Sequence, residues 1–191
     1  MLTLAAALVL ALPVAGAAQD ADTWVSGWGG VLMDPGTVRD GESGTEWDFG
    51  TSFIGGASVQ HLFGNTLVAG LELGYSPVRH EVRDADTDEL LADGRADLVT
   101  AMAVGRLGGG GRGFFTYATA GAGTMIYGIP SLDRWDPDLA LRAGGGVQYG
   151  ATRRVALFVE WNRWWVFHQS EGVEDNTVRH SHLEIGARYG L

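Results

Sequence analysis

Apolar and polar positions alternate with a period of two along much of this chain, the mark of extended strands whose two faces meet different surroundings. Arg179 to Leu191 is the clearest case. Ser181, Leu183, Ile185, Ala187, Tyr189 and Leu191 fall on one side, and His180, His182, Glu184, Gly186, Arg188 and Gly190 on the other. The same period divides the chain into about eight segments. They run over Thr23–Met33, Trp47–Leu62, Thr66–Pro77, Arg95–Leu107, Phe114–Tyr127, Leu139–Tyr149, Val155–Phe167 and Arg179–Leu191. The connections alternate in length. Phe63–Asn65, Gly108–Gly113 and Ala151–Arg153 are short, whereas Asp34–Glu46, Val78–Gly94, Gly128–Asp138 and His168–Val178 are long and mostly acidic. Short turns at one end and long loops at the other predict an all-β, up-and-down antiparallel arrangement.

The distribution of charge decides which face is wet. Thr51 through Leu71 and Phe114 through Pro130 contain no Asp, Glu, Lys or Arg, although soluble chains are about 25% charged. A water-facing strand surface is therefore excluded, and the apolar sides are predicted to face lipid. Leu67, Ala69, Leu71, Leu73 and Tyr75 share one side with Glu72 opposite, and Leu139, Leu141, Ala143, Val147 and Tyr149 share one with Arg142 opposite. Val155, Leu157, Val159 and Trp161 share one with Glu160 and Asn162 opposite, and Glu184 and Arg188 oppose the apolar side of the last segment. Glu72, Arg142, Glu160, Glu184 and Arg188 are thus predicted to form an ion network inside a barrel whose lumen is narrow enough to be filled by side chains. Arg142 and Arg188 are the candidate partners of Glu160 and Glu184. The first, fourth and fifth segments alternate too weakly for their faces to be assigned.

Aromatic residues cluster near segment ends, as in the girdles of membrane barrels. The girdle is predicted to include Trp47, Tyr75, Tyr149, Trp161, Trp164 and Trp165, with Trp24, Phe49, Phe115 and Tyr127 also near segment ends.

Composition narrows the picture further. A chain of 191 residues is one domain by default. It has no Cys, hence no disulfide scaffold or thiolate metal site. Its net charge of -10 disfavours nucleic acid, whose binding depends on neutralising phosphates with basic side chains. Thirty Gly suit closely packed, curved strands. At the other end, Leu2 to Leu12 is an apolar run followed by Pro13 and Ala15-Gly16-Ala17-Ala18, although no Lys or Arg precedes it. This predicts a signal peptide over 1–18 and an exported barrel over 19–191.

The block from Arg142 to Trp164, RAGGGVQYGATRRVALFVEWNRW, joined to the Leu183–Leu191 strand, resembles the last third of the OmpA/OmpX-like outer-membrane β-barrel domain. Its motif is a Gly-rich strand ending in Val-x-Tyr, a tight turn, then an apolar strand with an inward Glu and a following aromatic. The resemblance implies an eight-stranded antiparallel transmembrane barrel in the outer membrane of a Gram-negative-type bacterium. It also implies contact with outer-membrane lipid and lipopolysaccharide, and insertion by the barrel-assembly machinery. Tyr189 matches the family's penultimate aromatic, while Leu191 stands where the terminal aromatic usually does. The function it implies is non-catalytic: envelope integrity, surface contact through acidic loops, or slow passage of a small solute.

Other chemistry is weaker. Asp84, Asp86, Asp88 and Glu89 invite a calcium reading, but positions six and twelve of such a loop hold Glu89 and Arg95, so it is not an EF-hand. His168-Gln169-Ser170, with Glu171, Glu174 and Glu184 near in sequence, resembles the His-x-Ser pair of PagL-type lipid A deacylases; Glu171 follows where that family usually has Asn. A barrel enzyme acting on lipid A is the alternative class. His180 and His182 share one face, too few for a metal site. Gly108 to Gly111 is read as a turn and not a phosphate loop. No motif calls for a cofactor.

Overall fold

The computed structural model describes residues 22–33, 37–40, 43–64, 66–111, 113–129, 134–167 and 177–191. The predicted signal peptide and the His168-Gln169-Ser170 stretch lie outside these residues. The strands are β1 (Thr23–Met33), β2 (Thr37–Asp40), β3 (Thr45–Phe49), β4 (Ser52–Phe63), β5 (Leu67–Asp84), β6 (Leu90–Gly111), β7 (Phe114–Ile129), β8 (Arg134–Gly150), β9 (Val155–Phe167) and β10 (Thr177–Gly190). All pairings are antiparallel. β1 pairs with both β4 and β10, and β5 closes onto β6, so eight strands, β1 and β4 to β10, form a closed up-and-down barrel. Closure leaves no open sheet edge within the wall, which is the condition for a sheet to cross a membrane. β2 and β3 form an added hairpin, docked on the far end of β5 through pairs such as Asp48 with Glu81.

Four differences from the sequence pattern have physical causes. The predicted second segment is two strands, β3 and β4, broken at Gly50–Thr51. The acidic connection Val78–Gly94 is mostly strand: β5 and β6 remain paired out to Val82 with Ala92 and Arg83 with Leu90. Its inward Val78, His80 and Val82 keep period two, while the opposite face, outside the lipid, carries charge. The Gly128–Asp138 connection is strand at both ends, in β7 and β8. The Gly108–Gly111 run is not a turn. It continues β6 in register with Phe114–Tyr117, and the chain reverses at Gly113, whose φ of 83° favours glycine.

Side chains alternate strictly across the wall. The outer surface carries exposed apolar residues, Leu71 at 68% and Val159 at 47% among them. The inward positions are even-numbered on every barrel strand except β7, where they are odd. They fill the lumen in two levels. The half near the short turns is polar. The half toward the long loops is dominated by an apolar cluster that includes Leu32, Ile54, Val78, Leu98, Met125 and Val166, with His80, Asp138 and His180 also buried there.

Candidate functional site

The polar level of the lumen is the most chemically organised part of the molecule. Glu72, Arg142, Glu160, Glu184 and Arg188 all point inward and are buried. At the centre lies Glu160. Its carboxylate accepts from Arg106 Nε at 2.8 Å, from the Tyr117 hydroxyl at 2.9 Å and from Asn162 Nδ2 at 2.8 Å. Arg142 and Arg188 approach it at 3.6 and 3.7 Å. Glu72 accepts a two-point fork from Arg142, at 2.5 and 3.2 Å, and a further bond from Arg106 at 3.3 Å. Arg106 and Arg142 therefore bridge the same two carboxylates, the paired geometry that planar guanidinium groups favour. Arg188 donates to Gln148 and to the Tyr117 oxygen, and its guanidinium lies 4.3 Å from the Phe158 ring centre. Tyr117 thus relays between Arg188 and Glu160. Below this layer, Ser26, Ser58 and Gln60 form a small neutral chain of hydrogen bonds.

The Gly-rich block of β8 makes this possible. Gly146 faces inward, and a Cβ there would lie 2.7 Å from Tyr117 Cζ and its hydroxyl. Any larger residue would push Tyr117 away from Glu160.

Arg106 and Tyr117 lie on the fourth and fifth segments, whose faces the sequence pattern left unassigned. A usable signal existed for Arg106. It is the only charged residue between Leu98 and Gly111, and a lone charge in an apolar strand is what singled out Glu72.

The pairing also departs from expectation at Glu184. It sits directly across from Glu160 in the β9–β10 register, on the same inward face. Arg142 and Arg188 turn to Glu72 and Glu160 instead. Glu184 lies 3.7 Å from His182 Nδ1, and neither of its oxygens has a hydrogen-bond partner among the described residues. His182 in turn stacks on Trp164, with ring centres 4.6 Å apart. The Tyr127 hydroxyl lies 3.1 Å from Nε2 of His180.

Of the predicted girdle, Tyr75, Tyr149 and Trp161 are exposed on the outer surface, and Trp165 is an outward position. Trp164 is a correction: it is 1% exposed and inward, because even-numbered positions of β9 face the lumen. Trp47 is another. It lies on β3, packed against the apolar cluster and stacked on His80 at 5.3 Å. Trp24, Phe49 and Tyr127 are also interior residues.

The Asp84 cluster forms a turn. The Asp84 carboxylate accepts from the backbone N–H of Asp86 and Thr87 and from the Thr87 hydroxyl, at 2.8–3.0 Å. These bonds, those from Thr87 first, hold it below the usual Asp range. Among the described residues no three His, Asp or Glu side chains converge as metal ligands would.

Residues 4–190 match the family model of the outer membrane protein beta-barrel domain. The chain belongs to this family. Among solved structures, this outer-membrane barrel is similar to Neisserial surface protein A, with a TM-score of 0.57, 15% identity, and coverage of 90% of this chain and 98% of that one. It is likewise similar to the outer membrane protein OprG from Pseudomonas aeruginosa, at TM-score 0.55 and 17% identity, covering 90% and 96% of the two chains. Likeness at this identity concerns the fold. No curated protein matches the sequence significantly. The family places the protein in the outer membrane of a Gram-negative-type bacterium.

Proposed function

We propose that this protein is a non-catalytic outer-membrane barrel, closed to bulk solute flow, that serves envelope integrity and surface contact through its wall and projecting hairpins. One observation carries the reading: the Glu72–Arg106–Glu160–Arg142 network spans the lumen beneath an apolar cluster. Paired charges and packed apolar side chains both replace the water a channel would need. The hairpins, including the β5–β6 tip with Asp86, Asp88 and Glu89, extend beyond the wall on the long-loop side. Planar-bilayer recording of the folded protein tests closure: no large steady conductance is expected, and such a conductance would overturn it. Incubation with lipopolysaccharide tests the absence of catalysis. Release of free acyl chains would replace this reading with the deacylase alternative.

A further inference from the structure

The ion network leaves unused a titratable ring at the outer mouth of the barrel. His80 lies on β5 five residues beyond Tyr75, whose outward ring and hydroxyl, bonded to Asp97 at 2.7 Å, mark the edge of the apolar band. At about 3.3 Å per residue and a tilt of about 40°, the imidazole stands roughly 13 Å above that edge, outside the lipid. It points inward and is 7% exposed. Its cover is the β2–β3 hairpin. Trp47 stacks on it, with ring centres 5.3 Å apart and the planes 24° apart. Phe49, directly across the ladder, lies 6.4 Å from it and 5.6 Å from Tyr127. On β6 a Cβ at Gly94, opposite His80, would lie 2.9 Å from His80 Cε1, so the ring fills space that glycine leaves.

These surroundings suit the neutral ring. Nδ1 of His80 is buried with no hydrogen-bond partner among the described residues. A neutral imidazole can keep that nitrogen as a bare acceptor, but an imidazolium must donate from both nitrogens. The new N–H would be a cationic donor with nothing to accept it. Trp47 would attract the cation through its ring face, but that does not replace the hydration lost. The charged side chains of the strands around it lie on the opposite, outward face. They are Glu46 and Asp48 on β3, Arg79, Glu81 and Arg83 on β5, and Asp93 and Arg95 on β6. Asp84, four residues further along β5, is engaged in its own turn. From β7 the ionisable group is Tyr127, whose hydroxyl lies 3.1 Å from His180 Nε2. Burial holds His80 below the usual His range, with the charge of Asp93 opposing.

We propose that His80 is the pin of an acid-operated latch: neutral, it seats Trp47 and Phe49 and holds the β2–β3 hairpin on β5; protonated, it releases the hairpin and uncovers the aromatic and apolar side chains at the mouth. Docking and the proton compete for the ring. Docking is at full strength above the ordinary His value of about 6.5 and is lost as pH falls through that value toward the lowered one, by up to about tenfold per pH unit. The ion network lies in the other half of the lumen, so the latch does not depend on whether the lumen is closed.

The test is amide hydrogen exchange of the full folded protein in lipid nanodiscs, corrected for intrinsic rates. Thr45 to Phe49 reports on the hairpin, and β9 serves as the reference. Between about pH 7.5 and pH 5.5 the carboxylates stay largely ionised. Over that range exchange in Thr45 to Phe49 is expected to rise by roughly threefold to tenfold while β9 is unchanged. H80F keeps an aromatic ring without a proton site and is expected to stay protected at both pH values. Folding is scored by heat-modifiable gel migration; should H80F not fold, H80Q is expected to be less protected but equally indifferent to pH. A parent whose hairpin exchanges alike at both pH values would overturn the proposal. So would protection that strengthens in acid, which would mean that Trp47 holds the imidazolium. A folded H80F or H80Q that keeps the parent's response would also overturn it, since another group would then be the sensor.

Discussion

The two levels of the lumen block the same barrel by different physics. Near the short turns, three arginines and three glutamates, Arg106, Arg142, Arg188, Glu72, Glu160 and Glu184, are buried together. Toward the long loops Leu32, Ile54, Leu98, Met125 and Val166 form an apolar cluster, although Ser76, His80, Asp138 and His180 are also buried at that end. The apolar level gains stability from area and close packing, without regard to direction. The polar level is the reverse. Its charges are tolerated only because Arg106 and Arg142 meet Glu72 and Glu160 in near-ideal fork geometry, and any member left alone would be a desolvated charge. The apolar level should therefore degrade gradually under substitution, whereas the polar one should fail according to which partner is removed.

The largest effect should come from Arg106→Ala, which strands Glu160 and Glu72 together. A loss of about 3–5 kcal/mol is expected for removing one side of a buried pair, measured by urea unfolding in lipid vesicles with gel migration as readout. Combining it with Glu160→Ala should recover part of that loss; strictly additive losses would mean independent, hydrated charges and no network. Ile54→Ala in the apolar level comes next, at about 2–5 kcal/mol depending on how far the site collapses. Here additivity with Arg106→Ala is the expected result, and strong coupling would show that the two levels act as one unit. Glu184→Gln should be much milder, under about 1 kcal/mol. Glu184 is buried as deeply as Glu160 yet faces it across the ladder and has no hydrogen bond to lose among the described residues. A loss as large as that of Glu160→Gln would show that burial and not pairing sets the cost.

The smallest effect lies outside the lumen, in the turn built on Asp84. Its carboxyl is held below the usual Asp value, so the order it confers is present at neutral pH. That order fades only as pH falls below about 4 and through the lowered value. Amide exchange of Asp86 and Thr87, corrected for intrinsic rates, should lose protection there while the barrel stays folded. Unchanged protection into strong acid would mean the carboxylate does not hold the turn.

Much of this was legible because membrane strands are read by period and by the absence of charge. β9 spans Val155–Phe167 as its alternation predicts, and a single charged residue in an apolar strand marked Glu72 and Arg142 as inward. The faces of β6 and β7 were not legible. Small residues such as Ala101, Ala103, Ala118 and Ala120 fit either side, so Arg106 and Tyr117 were missed. Trp164 misled for a related reason. Trp161, Trp164 and Trp165 are alike in chemistry, and only the parity of the strand separates a ring in the lumen from one in the lipid.

The chain's own sequence determined the class of fold, the sidedness of its cleanly alternating strands and most of the charges that had to be hidden from lipid, Arg106 excepted, because those follow from local periodicity and from the cost of charge in hydrocarbon. Which guanidinium meets which carboxylate was decided by the closed barrel alone. Arg106 and Glu160 are far apart in sequence and on non-adjacent strands. Their 2.8 Å contact across the lumen exists only because eight strands of this register bring opposite walls together.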